Sequence, residues 1–100
     1  MKTAPPIAVL GAGSWGTALA IRLAHAGRPV TLWSREQSEL DALSAARSNE
    51  QFLPGIEFPQ SLQLSDSADL RSITDFEHYL AVVPSHGFRE TLENLRLARQ

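Results

Sequence analysis

Cysteine is absent from the 100 residues, which excludes disulfides, thiolate chemistry and a cysteine-ligated zinc site. An excess of positive charge is also missing. Nine Lys+Arg stand against eleven Asp+Glu, a formal net charge of −2. At a pI of about 5.8 no broad basic field exists for nucleic acid or an anionic membrane. Long apolar runs are lacking too, since Gly, Arg or His interrupts each one well before the ~18–20 residues of a membrane span. Only four apolar residues, Ile7 to Leu10, follow Met1-Lys2-Thr3-Ala4-Pro5-Pro6. That is not a secretory leader, so the expected compartment is the cytoplasm. The chain shows neither internal repeats nor low-complexity tracts.

What is present is an ordinary globular mix, 43% hydrophobic and 20% charged, at a length that suits one domain. Ile7-Ala8-Val9-Leu10 is a short apolar run closed by glycine and predicts a strand buried on both faces. Helical spacing runs from Ser14 to about Ala26, with Ala18, Leu19, Ile21, Leu23 and Ala24 as its apolar side and Gly27 at the position after its end. Pro29-Val30-Thr31-Leu32-Trp33 predicts a second strand. A second helix is expected from Glu36 to about Arg47, with Leu40 and Leu43 inward and Glu36, Glu39 and Asp41 outward.

Residues 48–61 are punctuated by Pro and Gly but carry Phe52, Leu53, Ile56 and Phe58, so a packed loop is expected. Leu62-Gln63-Leu64 predicts a third strand. Asp66 to Ile73 suits one or two helical turns capped by Ser65 or Asp66, and His78 to Val83 a fourth strand ended by Pro84. A last helix opens at Ser85 or His86. Strands alternating with helices in this way predict an α/β fold of the Rossmann type, a doubly wound parallel sheet with right-handed crossovers.

Gly11-Ala12-Gly13-Ser14-Trp15-Gly16 is a G-x-G-x-x-G sequence. The pattern alone is weak. Its place, directly after a buried strand and at the start of a helix, is the context that gives it meaning. Gly11 permits the tight turn, Gly13 lets a diphosphate approach the backbone, and Gly16 allows the helix to pack closely. The helix start offers N–H groups and the positive end of its dipole to an anion. Dinucleotide-binding folds usually place an acid about 20 residues on, at the end of the second strand, for the ribose 2′-hydroxyl. That place reads Trp33-Ser34-Arg35-Glu36 here. A guanidinium at Arg35 would pair with a 2′-phosphate, so NADP is favoured or accepted beside NAD.

Ser85-His86 falls at the carboxyl end of the fourth strand, where parallel sheets bind ligands. Ser85 suits both a helix cap and the nicotinamide side of a cofactor. His86 at a helix start reads as structural, His25 as a dipole partner, and His78 as a surface residue. The three histidines have no metal-ligand spacing, so no metal is expected.

Four stretches together resemble the NAD(P)-dependent glycerol-3-phosphate dehydrogenases: Gly11 to Ala20, Leu32-Trp33-Ser34-Arg35, Asn49-Glu50-Gln51-Phe52-Leu53-Pro54, and Val82-Val83-Pro84-Ser85-His86. The resemblance covers nearly the whole chain, and its last two motifs are far more specific than the glycine pattern. It implies reduction of dihydroxyacetone phosphate to sn-glycerol 3-phosphate for phospholipid synthesis. It also implies that Ser14, Trp15 and Arg35 contact the dinucleotide, with Phe52 close by. Some members carry a second basic residue after the arginine, where this chain has Glu36.

The same resemblance implies that residues 1–100 are the N-terminal part of the NAD(P)-binding domain, cut after about four strands of the six that such a fold commonly has. The helical substrate domain and the catalytic lysine would lie outside, so this stretch holds no catalytic residue and should be inactive alone. The expected partners are the dinucleotide, a small phosphorylated substrate through the missing domain, and a second subunit of a full-length homodimer. Nucleic acid and membrane insertion are not expected. Two other readings stay open: a Rossmann dehydrogenase of the ketopantoate or hydroxyacid type, and a non-catalytic nucleotide-sensing module.

Overall fold

The structure, a computed structural model, describes residues 6–74, 76, 78–82 and 85–98, and within the last helix the side chains of 89, 91 and 93–98. Its elements run in the order β1 (Ile7–Leu10), α1 (Ser14–His25), β2 (Val30–Trp33), α2 (Gln37–Ala46), β3 (Ser48–Asn49), β4 (Leu53–Glu57), β5 (Leu62–Leu64), a 3-10 turn (Leu70–Ile73), β6 (His78–Ala81) and α3 (Ser85–Ala98). Four strands form one parallel sheet in the order β5-β2-β1-β6. The chain works outward from β1 through β2 to β5, then crosses back to β6 on the other flank. The strand order therefore reverses between β1 and β6, the kind of place where open α/β sheets take ligands.

The alternation of side chains along the strands divides the core in two. Val9, Val30, Leu32 and Leu62 pack with Ala20, Ile21 and Ala24 of α1, Leu43 of α2 and Phe58. Ala8, Leu10 and Trp33 point the other way and meet Ile73 of the 3-10 turn and Leu95 of α3. Ala8, Val9 and Leu10 are all 0% exposed, so β1 is buried on both faces as its uninterrupted apolar run predicts. On α1 the buried side is made by Gly16, Thr17, Ala20, Ile21 and Ala24, whereas Ala18 is exposed. The apolar side is thus rotated from the expected one, toward small residues that let the helix lie close to the sheet. Gly27 ends α1 at a φ of 89°. Its N–H bonds Ala24 O and that of Arg28 bonds Leu23 O, a Schellman closure of the helix.

The expected loop at 48–61 is an antiparallel ribbon of β3 and β4, separate from the main sheet. Phe58 is buried, but Phe52 and Ile56 are exposed, so the stretch is packed at one end and open at the other. Glu50 holds its turn, accepting from the Ser48 hydroxyl and the Gly55 N–H. Arg47, left-handed at a φ of 53°, joins α2 to the ribbon. Its guanidinium donates to Pro59 O and lies over the Phe58 ring. Farther on, the helical turns expected from Asp66 reduce to the 3-10 turn, and its cap is Asp69 rather than Ser65 or Asp66.

Candidate functional site

The parallel register sets Leu10 opposite Trp33 on one side and Ala81 on the other. Gly11, Ser34 and Val82 therefore leave the sheet side by side at one edge. Gly11 turns at a φ of 118°, which L side chains rarely adopt. Its N–H donates to Trp33 O at 2.9 Å, and the Val82 N–H donates to Leu10 O at 2.7 Å. A Cβ on Gly16 would stand 1.7 Å from the Gly11 carbonyl oxygen, so hydrogen alone fits where α1 seats against the turn. A Cβ on Gly13 would meet no atom within 4 Å. Nothing in the fold itself thus demands a glycine there, and the open space suits a bound group. No side chain caps α1, and its first turn carries no acid.

A cleft of about 290 Å³ opens at this edge, lined by Gly11 to Gly13, Trp33 to Glu36, Glu39, Phe52 and Val82. Four of the residues expected at a dinucleotide site, Gly11, Gly13, Arg35 and Phe52, meet in it. Ser14 and Trp15 stand exposed on the first turn of α1, outside the lining, and Gly16 is buried beneath the turn. The side chain of Ser85 lies outside the described residues, as do those of His86 and of Val83 and Pro84. The backbone of Ser85 begins α3.

The β2 end of the cleft is organised by Ser34, which is buried. Its hydroxyl donates to Glu39 Oε1 at 2.9 Å and accepts from the Glu36 N–H at 3.2 Å. Glu39, expected to face outward, is instead half-buried and lines the cleft. The reason is local: the Ser34 hydroxyl, fixed at the end of β2, donates to the carboxylate and holds it toward the cleft in place of water. One guanidinium and two carboxylates therefore share this end, with Arg35 exposed. A second cavity of about 520 Å³ shares Trp33 and Arg35 with the cleft and is closed by residues 68–71 and by Thr91, Asn94, Leu97 and Ala98 of α3. In its wall the Arg71 side chain, bonded to Asp69, lowers that carboxyl from its ordinary 3.8 to about 2.

Over residues 6–100 the chain matches the family model of the N-terminus of NAD-dependent glycerol-3-phosphate dehydrogenase. The chain belongs to that family. It is 50% identical over 95 residues to the glycerol-3-phosphate dehydrogenase (NAD(P)+) of Pseudoalteromonas translucida, covering 94% of this chain and 28% of that one. The enzyme of the same name from Edwardsiella ictaluri is 48% identical over 90 residues, 90% of this chain and 26% of its own. The chain thus spans little more than a quarter of the length of these curated relatives. The crystal structure of glycerol-3-phosphate dehydrogenase from Coxiella burnetii superposes with a TM-score of 0.88 at 40% identity, over 99% of this chain and 30% of that one. A structure from Dunaliella salina, at 17% identity and a TM-score of 0.73, shares the fold. The fold is therefore the Rossmann-type parallel sheet that the strand–helix alternation predicts.

Beyond its motif residues, this member of the dehydrogenase family places three side chains at or beneath the cleft that spacing alone does not single out. Glu39 is one. The others are Thr17 and Asn49, 0% and 4% exposed. Asn49 Nδ2 donates to Ala12 O at 2.9 Å and to Thr17 Oγ1 at 2.8 Å, across 37 and 32 residues of sequence. The one local signal was the position of Asn49 at the head of the N-x-x-F-L-P stretch. Among the described residues, no group of three or more His, Asp or Glu is placed to hold a metal ion, and no helix is long and apolar enough to cross a membrane.

Proposed function

We propose that residues 1–100 are the N-terminal part of the NAD(P)-binding domain of a glycerol-3-phosphate dehydrogenase, which reduces dihydroxyacetone phosphate to sn-glycerol 3-phosphate as a phospholipid precursor. The observation that carries this reading is the meeting of the glycine turn, Arg35 and Phe52 in one cleft at the strand-order reversal. The cleft fits a dinucleotide on its own chemistry. The uncapped start of α1 and the open space at Gly13 suit a diphosphate. Arg35 suits a 2′-phosphate, while Glu36 and Glu39 suit free ribose hydroxyls. The mixture of charges supports acceptance of both NADP and NAD. Phe52 offers an aromatic face, and Ser14, Trp15, Gly16 and Ser85 complete the proposed binding set.

When bound, the reduced nicotinamide supplies the hydride for carbonyl reduction. This chain's own residues bind and orient: the turn backbone holds the diphosphate, Arg35 fixes the adenosine end, and Trp33 closes the floor. The proton donor and the phosphate grip on the substrate belong, in this reading, to a helical domain beyond these residues. The relatives' greater length supports that division. A cytoplasmic setting and a homodimer of the whole enzyme complete the proposal.

Calorimetric titration with NADPH and NADH tests it. Both should bind, NADPH at least as tightly as NADH. Gly13→Val should weaken both by about a hundredfold or more by filling the diphosphate space, a loss near 3 kcal/mol. Its melting temperature should stay close to that of the parent, since a Cβ there meets no protein atom. Retained affinity in Gly13→Val would show that the turn is structural only.

A further inference from the structure

We propose that Asn49 is a positioning residue for the diphosphate of the dinucleotide, acting through the Ala12 carbonyl; this rests on the dinucleotide reading above. Asn49 does not line the cleft. It sits behind the glycine turn, 4% exposed, and its amide reaches Ala12 O at 2.9 Å. Thr17 Oγ1 donates to the same oxygen at 3.2 Å and accepts from Asn49 Nδ2 at 2.8 Å. Three buried groups thus close a small ring of hydrogen bonds. Both lone pairs of the Ala12 carbonyl are occupied, and both side-chain N–H groups of Asn49 are spent.

The consequence follows from peptide geometry. In a planar trans peptide the C=O of one residue and the N–H of the next point in opposite directions. The Ala12 carbonyl is pulled inward toward Asn49 and Thr17, so the Gly13 N–H is turned away from them. Gly13 is also the residue around which a Cβ would meet nothing within 4 Å. The ring therefore fixes a backbone donor toward the open side of the turn before any ligand arrives. Preorganised donors of this kind cost no reorganisation on binding.

Asn49 also links two parts of the cleft. It lies in β3, and its own carbonyl accepts from the Phe52 N–H at 3.2 Å. The same ribbon therefore pins the glycine turn from behind and presents Phe52 at the rim. A slack ribbon would loosen both at once.

The test separates positioning from mere folding by comparing two ligands on the same variants. NADPH carries the diphosphate; adenosine 2′-monophosphate engages the Arg35 end alone. Asn49→Ala should weaken NADPH on the order of tenfold, the worth of a lost buried hydrogen bond, while leaving adenosine 2′-monophosphate within about twofold by NMR shift titration. Where Asn49→Ala does not fold, Thr17→Val and Thr17→Ser decide. The valine keeps the shape and removes the hydroxyl, so NADPH should weaken several-fold; the serine keeps the hydroxyl and should bind as the parent does. Equal losses for both ligands, or unchanged NADPH affinity in Asn49→Ala or Thr17→Val, would overturn the proposal. If the parent protein binds adenosine 2′-monophosphate but not NADPH, the dinucleotide reading fails, and this inference with it.

Discussion

Two strand-to-helix turns at the carboxyl edge of the sheet, after β1 and after β2, are supported in different ways. After β1 the chain enters α1 with no side-chain cap and no acid in the first turn, while Asn49 and Thr17 hold the turn from behind. After β2 the chain enters α2 with the Ser34 hydroxyl on the Glu36 N–H and Glu39 in the first turn. Neither helix has a side-chain cap, but the second carries Glu39 in its first turn and the Ser34 hydroxyl on the N–H of Glu36 just before it, whereas the first has no acid there. In the proposed reading a ligand anion settles on the first turn, where no carboxylate opposes it, rather than on the second, where Glu39 does.

The largest expected effect strikes the first turn directly. Gly16→Ala forces a Cβ to within 1.7 Å of a backbone oxygen, so either the turn or α1 must move. Alanine's better helix propensity, worth about 1 kcal/mol, cannot offset that. A loss of about 3 kcal/mol, roughly a 12–24 °C fall in melting temperature, is expected by calorimetry. An unchanged melting temperature would mean that the close seating of α1 is not required.

A smaller effect sharpens the contrast from the second turn. Arg35→Ala should weaken NADPH about 10- to 100-fold and leave NADH nearly unchanged, since only the 2′-phosphate uses the guanidinium. Glu39→Gln, neutral and of the same shape, should move the NADPH/NADH affinity ratio the other way, by a few-fold. A fall in NADH affinity equal to that of NADPH in Arg35→Ala would remove the arginine from cofactor choice.

The smallest effect concerns the 3-10 turn, a third helical start and one that caps itself. Asp69 accepts from the Arg71 N–H and side chain, and its carboxyl is lowered from 3.8 to about 2. A depressed folded-state value means the contribution to stability is present above about pH 4 and fades as the pH falls toward 2. Both side chains are well exposed, so the effect on overall stability should be slight. Carboxyl NMR titration should find the low midpoint, and Arg71→Ala should return it toward 3.8. A midpoint already near 3.8 in the parent would show that this pair does not form in solution.

The parallel sheet was legible because its signals are local. Ile7 to Leu10 and Val30 to Trp33 are apolar or β-branched runs, and glycines or prolines mark their ends. The β3–β4 ribbon was not. Its turn, Glu50-Gln51-Phe52, lacks the Asn-Gly or Asp-Gly pair that marks hairpins, β4 contains Pro54 and Gly55, and the left-handed residue before it is Arg47 rather than glycine. For the same reason the site was half legible. Gly11, Gly13 and Gly16 announce themselves by spacing. Glu39 enters the cleft only because Ser34 holds it, and Asn49 matters only because the ribbon folds back beneath the turn. Contacts across 32 to 37 residues leave no periodic trace.

The two tryptophans divide the optical properties of the molecule between them. Trp15 is 74% exposed at the mouth of α1, whereas Trp33 is 3% exposed, with its indole N–H on Ala68 O. Light emitted from the first is open to aqueous quenchers and to anything that settles on the glycine turn. Emission from the second is shielded from solvent by burial, although Trp33 also lines the cleft. A solute quencher therefore reaches Trp15 first, and exposure of Trp33 to the same quencher marks the sheet coming apart.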